Sequence, residues 1–167
     1  MRVSALGALP LWLAVGCAPT VAVTRPRAAP PPLVIFLADA AAPGDEPLRP
    51  LAAAVNQALG GRFRGQPGVR VAAVPIGDAL AVVEECHGAP TAVDCLAALA
   101  EQNHAPWLVV PRLERRGPRG AAVTLILFDR RERRIHRRSQ RHFDDLAAAE
   151  RAAPEQVAEV AQAPLGS

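Results

Sequence analysis

The segment ECHGAPTAVDC, residues 85–95, sets two cysteines nine positions apart, with a histidine and an aspartate just inside them. Such a set could form a disulfide between Cys86 and Cys95, or it could expose a reactive thiol. It could also hold zinc, with His87 and Asp94 as further ligands, although this spacing matches none of the common structural zinc sites. A redox motif would favour Cys-x-x-Cys. The compartment of the chain decides among these hypotheses.

The amino terminus indicates export. Arg2 is followed by a thirteen-residue apolar run from Val3 to Val15. This run is too short to cross a bilayer core, for which about 20 helical residues are needed. A positive residue, a short apolar run and a small-residue end are typical of a secretory signal. We therefore predict a signal peptide over residues 1–16.

The end of this signal, Ala14-Val15-Gly16-Cys17, resembles the lipobox of bacterial lipoproteins, in which small residues precede an obligatory cysteine. The resemblance implies cleavage before Cys17 and its acylation, so that palmitate-type chains anchor the protein; two or more chains anchor stably. By the sorting rule of that family, Ala18 implies the outer membrane, with the protein facing the periplasm. The alternative is ordinary signal cleavage, which would give a secreted or soluble periplasmic protein.

Export favours a disulfide. In an oxidising compartment two nearby cysteines usually pair, so we predict a bridge between Cys86 and Cys95, while the zinc and thiol alternatives stay open. We expect no cofactor and no metal. Residues 17–32 are rich in proline, which favours extended backbone. This segment is predicted to be the acylated cysteine and its tether.

Hydrophobic periodicity predicts an α/β domain over residues 33–145, with the element order β-α-β-α-α-β-β-β-α. Alternating strands and helices at the front favour crossover packing on a sheet, and the closing strands favour an antiparallel meander. We predict a single two-layer sandwich with a mixed sheet of about five strands. Gly60 and Gly61 are expected to stop the first helix. Residues 146–167 are expected to form a weak helical tail, interrupted at Pro154.

Positive charge is concentrated in one part of the chain. The net charge is +3, whereas the stretch from Arg112 to His142 holds eleven arginines and three acidic residues. Arginine grips phosphate and carboxylate groups well. The candidate anion-binding residues are Arg130, Arg131, Arg133, Arg134, Arg137, Arg138 and Arg141. Strand alternation would place Arg137 and Arg141 on one face together with Ile135.

A second interpretation of these arginines is structural. Charged side chains on a solvated edge strand protect it from pairing with other chains. The chain has no lysine and no tyrosine, which is typical of a compositional bias towards arginine. Aromatic residues, which stack on bases, make up only 4% of the chain, so we expect no nucleic-acid partner.

The order of LVIFLADA, an alanine-leucine helix, VRVAAVP, the paired cysteines and PWLVVPRLERRGPRGAAVTLILFDRRERRI resembles a known domain type. It is similar to the small α/β domain at the amino end of the periplasmic Tol translocation protein and of the curli-assembly lipoprotein family. The likeness spans about residues 33–145, with Cys86, Cys95, the segment 105–107 and Asp129 as the corresponding pieces. It implies a non-catalytic domain that serves in assembly or partner contacts.

Known catalytic signatures do not occur in the sequence. It contains no serine nucleophile elbow, phosphate-binding loop or dinucleotide fingerprint. We therefore expect no enzymatic activity and no small-molecule substrate. The predicted function is that of a cell-envelope lipoprotein that contacts a partner protein; the alternative is a binder of lipopolysaccharide or another polyanion through the arginine-rich hairpin.

Overall fold

The computed structural model describes residues 33–40 and 44–162. The predicted signal peptide, the tether and Cys17 lie outside these residues. The described elements are, in order, β1 (Leu33–Leu37), α1 (Arg49–Phe63), β2 (Val69–Pro75), α2 (Ile76–Ala81), α3 (Val93–Gln102), β3 (Trp107–Arg116), β4 (Gly120–Asp129), β5 (Arg134–Phe143) and α4 (Leu146–Ala161). Single 3-10 turns occupy Glu46–Leu48 and Glu84–Cys86. None of the helices in the described part is long and apolar enough to span a membrane.

The five strands form one mixed sheet in the order β2-β1-β3-β4-β5. Strand β1 pairs in parallel with both β2 and β3, whereas β3, β4 and β5 form an antiparallel meander. The predicted element order and the α/β sandwich with a mixed sheet of about five strands are confirmed.

The directions of the two crossover connections decide which face of the sheet each helix covers. The connection from β1 to β2 and the connection from β2 to β3 run in opposite directions across the sheet, and crossovers of one hand then place their helices on opposite faces. Accordingly α1 and α4 form a layer on one face, here called the α1/α4 face. The short helices α2 and α3 cover part of the other face, here called the α2/α3 face.

The core lies on both sides of β4, all ten residues of which are buried. Successive side chains of a strand point to opposite faces. Leu125 and Leu127 therefore pack under α1 and α4, whereas Ile126 and Phe128 pack under α2 and α3.

Helix α1 continues past the expected stop at Gly60 and Gly61 and ends at Phe63. Each glycine costs about 1 kcal/mol in a helix interior relative to alanine. Burial of a phenylalanine side chain contributes about 1.5–3 kcal/mol, and Phe63 is 6% exposed. Packing of the last turn therefore offsets the helix-breaking residues.

Helix α4 differs from the weak, interrupted helix that the sequence predicted, because it runs unbroken through Pro154. Its apolar stripe packs against α1 and the sheet. The buried residues of this stripe are Ala149, Ala153, Val157 and Val160. Tertiary packing thus makes α4 part of the sandwich layer, and the exposed side of the helix carries the proline.

Candidate functional site

The two cysteines of the segment 85–95 are joined to each other. The sulfur atoms of Cys86 and Cys95 are 2.03 Å apart and their Cα atoms 4.5 Å apart, and both side chains are buried. The bridge ties the 3-10 turn at Glu84–Cys86 to α3. The predicted disulfide is confirmed, and the bonded pair offers no thiolate to zinc or to a redox partner.

His87 and Asp94 contact other groups. His87 Nε2 lies 3.1 Å from the carbonyl oxygen of Ala81, and Asp94 Oδ1 accepts a hydrogen bond from Arg133 Nη2 at 2.8 Å. Within residues 33–40 and 44–162, no group of three or more His, Cys, Asp or Glu side chains is placed to hold a metal ion. The motif that suggested metal chemistry therefore does not converge on one point.

The turn between β4 and β5 is shaped by Asp129, a buried carboxylate at the end of β4. Asp129 Oδ1 accepts the backbone N–H of Arg131 at 2.8 Å and that of Glu132 at 3.3 Å. Arg133 then adopts a left-handed φ of 47°, which is uncommon for a residue with a Cβ. The aspartate thus organises a turn that contains no glycine.

Arg141, one of the candidate anion-binding residues, pairs with α4. Its Nη2 donates to Glu159, and its Nη1 lies 3.4 Å from Glu155 Oε2. Glu159 Oε2 also accepts a hydrogen bond from Ser139 Oγ at 2.8 Å. The Ser139 hydroxyl and then the Arg141 guanidinium lower the pKa of Glu159. Arg141 therefore ties β5 to α4 and is occupied by protein carboxylates.

Two further arginines of the hairpin form surface ion pairs. Arg133 Nη2 lies 2.8 Å from Asp94 Oδ1, and Arg134 Nε lies 2.5 Å from Glu132 Oε2. All four side chains are more than half exposed, so each pair contributes little to stability. The pairs do neutralise part of the predicted positive patch.

The other four candidates are less engaged. Arg138 Nη2 donates to Gln140 Oε1 at 3.0 Å. In the part of the chain that the structure describes, no carboxylate oxygen lies within 4.0 Å of Arg130, Arg131 or Arg137. These three residues, here called the unpaired arginines, retain their charge for an external anion.

A β-bulge changes which side chains share a face of β5. The register shifts between Leu127 and Phe128, so that Ile135 stands opposite Phe128 and Arg137 opposite Leu127. Ile135 packs against the core of the α2/α3 face, whereas Arg137 lies on the α1/α4 face with Arg141. The prediction that Ile135 shares a face with these arginines is wrong, because the extra residue reverses the alternation.

An apolar groove of about 390 Å³ lies between the carboxyl end of α1 and β2. Its apolar lining is Ile35, Leu37, Leu59, Phe63, Val69 and Val71. Val71 is 53% exposed, so the groove opens to solvent at the edge of the sheet. Sequence reasoning missed it because the sequence does not reveal that β2 is an edge strand.

Asn56 holds α1 against the sheet beside this groove. Its Oδ1 accepts the backbone N–H of Ala38 at 2.8 Å, and its Nδ2 donates to the carbonyl oxygen of Ala38 at 2.9 Å. The side chain thus pairs with the backbone just beyond β1 as a neighbouring strand would. This contact fixes α1 to the end of β1, and Asn56 also lines the groove.

A more polar crevice of about 490 Å³ lies at the carboxyl end of β1 and includes Asp39, Asp45 and Arg112. Asp39 Oδ2 accepts the backbone N–H of Gly77 at 3.0 Å. Burial raises the pKa of Asp39, and the negative charges of Asp78 and Asp45 add to the effect. The carboxylate is engaged in holding the first turn of α2.

Comparison with family models and with curated proteins gives no match. Among solved structures, the chain is similar to a PelC dodecamer from Paraburkholderia phytofirmans that carries one substitution, at 15% identity and a TM-score of 0.39; the similarity covers 83% of this chain and 90% of that chain. A second PelC dodecamer structure from the same organism gives 15% identity and a TM-score of 0.37, with 79% and 85% covered. These values do not establish a shared family.

Proposed function

We propose that the protein is a non-catalytic module of the bacterial cell envelope that acts by contacting a partner protein. The observation that carries this proposal is the open apolar groove beside β2, at which Val71 is half exposed. Apolar surface in a concave site at the rim of a domain is typical of binding sites.

The contacts of the carboxylate and imidazole side chains that could act in catalysis support a binding role over a catalytic one. Asp129 accepts two turn amides, and Asp39 accepts a backbone amide of α2. His136 meets Trp107 in an edge-to-face contact with ring centroids 5.4 Å apart. These groups are used to hold the fold together.

The proposed location is the periplasmic face of the outer membrane, with Cys17 as the acylated residue. The signal-like amino terminus supports export, and so does the disulfide, because disulfides persist mainly in oxidising compartments. Metabolic labelling with radioactive palmitate tests the anchor: the label should enter the wild-type chain and not Cys17→Ser. Equal labelling of both, or of neither, would contradict the lipid anchor.

The proposed protein contact is tested by site-specific photo-crosslinking in intact cells. A photoreactive residue is placed in turn at four exposed positions on different sides of the domain, namely Val71, Val82, Arg131 and Arg151. At least one position should give a discrete crosslinked adduct. Once the partner is identified, an affinity-tagged copy of the partner should give the same adduct. The absence of adducts at all four positions would count against an interaction module.

Binding of an anionic envelope component is the second candidate function. It is favoured by the unpaired arginines of the hairpin, which lie near no carboxylate among the residues that the structure describes. Arginine forks bind phosphate and carboxylate groups bidentately. A surface of this kind would suit lipopolysaccharide or another polyanion near the membrane.

Heparin chromatography with two matched variants tests this second function. One variant replaces the three unpaired arginines, Arg130, Arg131 and Arg137, with glutamine. The other replaces the three ion-paired arginines, Arg133, Arg134 and Arg141, so both lose the same charge. Site-specific binding predicts that the first variant elutes at clearly lower salt than the second. Equal elution would indicate attraction by net charge alone.

A further inference from the structure

Strand β2 is one of the two edges of the sheet that the described residues form. Among these residues β2 pairs with β1 alone, so the N–H of Val71 points outward without a strand beside it, whereas the N–H of Val69 donates to the carbonyl oxygen of Gln66 at 3.3 Å. Val71 and Val74 are 53% and 46% exposed, and they are two of the four exposed large apolar side chains in the described residues. This edge therefore combines free hydrogen-bonding groups with apolar surface.

The opposite edge of the sheet has a different character. Strand β5 carries four arginines within ten residues, and charged side chains on an edge disfavour pairing with another chain. Strand β2 contains a single charged residue, Arg70, among seven. Strand β5 is thus protected by charge against pairing with another chain, whereas β2 is not, and β2 is the edge suited to accept an added strand.

The apolar groove lies directly beside this edge, and Val71 belongs to both. A strand added to β2 would run about 4.8 Å from it. Alternate side chains of that strand would stand on the α1/α4 face, next to Val69 and Val71 and over the groove. A volume of about 390 Å³ leaves room for apolar side chains of such a strand.

The margin of the groove carries a positive charge at Arg64, which lines it and is exposed. In the described ranges, no carboxylate oxygen lies within 4.0 Å of the Arg64 guanidinium group. A partner segment with an acidic residue would complement this charge.

We propose that β2 binds an extended segment of a partner protein as a sixth strand, with an apolar side chain in the groove and an acidic side chain at Arg64. This inference rests on the proposed function and adds the mode of recognition, which is strand addition. Regular pairing of β1 with β2 covers Val69–Val71 and then shifts. The added strand is therefore short and its interface small, so we expect weak binding, with a Kd of micromolar order.

The test uses the full chain, with Cys17→Ser to prevent acylation, and a fluorescent peptide of about nine alternating valines and threonines that includes one glutamate. Fluorescence polarisation should report micromolar binding. Val71→Arg should weaken it at least about tenfold, because the guanidinium would occupy the mouth of the groove. The matched control is Val82→Arg, at a valine that is 71% exposed but lies outside β2; it should bind as the wild type does.

A charge exchange gives a second test that leaves the apolar packing intact. The wild type should prefer the glutamate peptide over a peptide with lysine at the same position, and Arg64→Glu should reverse this preference. Hydrogen exchange should show slower exchange of the Val71 amide when the glutamate peptide is bound, because the Val69 amide already donates to Gln66 and the Arg70 amide faces β1. Strand pairing predicts this protection, whereas loose surface attachment does not.

Several results would overturn the proposal. In the polarisation assay, these are absence of peptide binding, binding by Val71→Arg equal to that of the wild type, and an unchanged peptide preference in Arg64→Glu. In a competition assay, laurate would displace the peptide and bind more tightly than it does. In analytical ultracentrifugation, the wild type would sediment as a dimer that Val71→Arg abolishes. Laurate binding would assign the groove to an amphiphile, and the dimer would assign the edge to a second copy. If crosslinks persist at positions outside β2, only the mode of recognition fails. If no crosslink forms anywhere, the interaction function fails with it.

Discussion

Arg141 of β5 and Glu159 of α4 form an ion pair that ties the last strand of the sheet to the last helix. Ser139, on the same face of β5, donates its hydroxyl to the other oxygen of that carboxylate at 2.8 Å. One glutamate thus engages two side chains of an edge strand. The pair explains why Arg141, which the sequence suggested as a solvent-facing residue of an edge strand, instead helps to hold β5 against α4.

Acid should weaken this contact. The Ser139 hydroxyl and the Arg141 guanidinium hold the pKa of Glu159 below its ordinary value of 4.5. A lowered folded-state pKa contributes stability above the unfolded-state pKa, and that stability is lost as the pH falls through the lowered value. We expect Glu159→Gln to reduce the Tm by a few degrees at neutral pH and by progressively less as the pH falls below 4.5. Thermal unfolding followed by circular dichroism checks this, with exposed Glu101→Gln as the control; a Tm difference independent of pH would contradict it.

The disulfide should stabilise the α2/α3 face. Cys86 and Cys95 close a loop with a sequence separation of nine, for which the chain-entropy model gives roughly 2.5–3 kcal/mol. Urea denaturation of the variant with both cysteines replaced by serine should show a loss of about this size. A reducing agent should destabilise the wild type by a similar amount and leave the double variant unaffected. If wild type and variant unfold at the same urea concentration without reductant, the bridge adds no stability.

Helix α4 should behave as core. Val157 is 1% exposed. We expect Val157→Ala, which removes two buried methyl groups and leaves a cavity, to lower the free energy of unfolding by about 2 kcal/mol. Arg151→Ala, on the exposed side of the same helix, should change the free energy of unfolding by less than about 0.5 kcal/mol. Denaturant titration distinguishes the two. Equal and negligible effects would mean that the helix is only loosely attached.

Two glycine substitutions should have opposite effects. A Cβ at Gly120 would lie 2.6 Å from the carbonyl oxygen of Arg116 and 2.7 Å from that of Phe143, and both are backbone atoms. We expect Gly120→Ala to cost about 1–3 kcal/mol through this clash. A Cβ at Gly61, inside α1, would meet nothing within 4 Å, so Gly61→Ala should stabilise by up to about 1 kcal/mol. If denaturant titrations show that both substitutions change the free energy of unfolding in the same direction, the predicted contrast between the crowded Gly120 and the open Gly61 is wrong.

The order of strands and helices could be predicted because it depends on neighbours in sequence. The apolar run at Leu33–Leu37 reads as a buried strand, and β1 is one. Propensity failed where packing competed with it, at Gly60, Gly61 and Pro154. There the buried side chains of α1 and α4 keep the helices continuous despite the residues that disfavour them.

Contacts between distant residues could not be predicted in the same way. The ion pair of Arg133 with Asp94 joins positions 39 apart, and that of Arg141 with Glu159 joins positions 18 apart. Which arginines stay unpaired therefore depends on how α3 and α4 are placed. The bulge that separates Ile135 from Arg137 likewise arises from pairing with β4.

By itself, the sequence determined the succession of elements, the pairing of Cys86 with Cys95 once export is granted, and the concentration of arginine near the last hairpin. Among the described residues, the tertiary structure decided that β2 is an edge of the sheet, that a groove lies beside it, and which arginines have no carboxylate partner. The physical reason is that periodicity and cysteine spacing are local properties of the chain. Strand order, by contrast, is set by helices that pack on both faces of the sheet, and no local pattern encodes it.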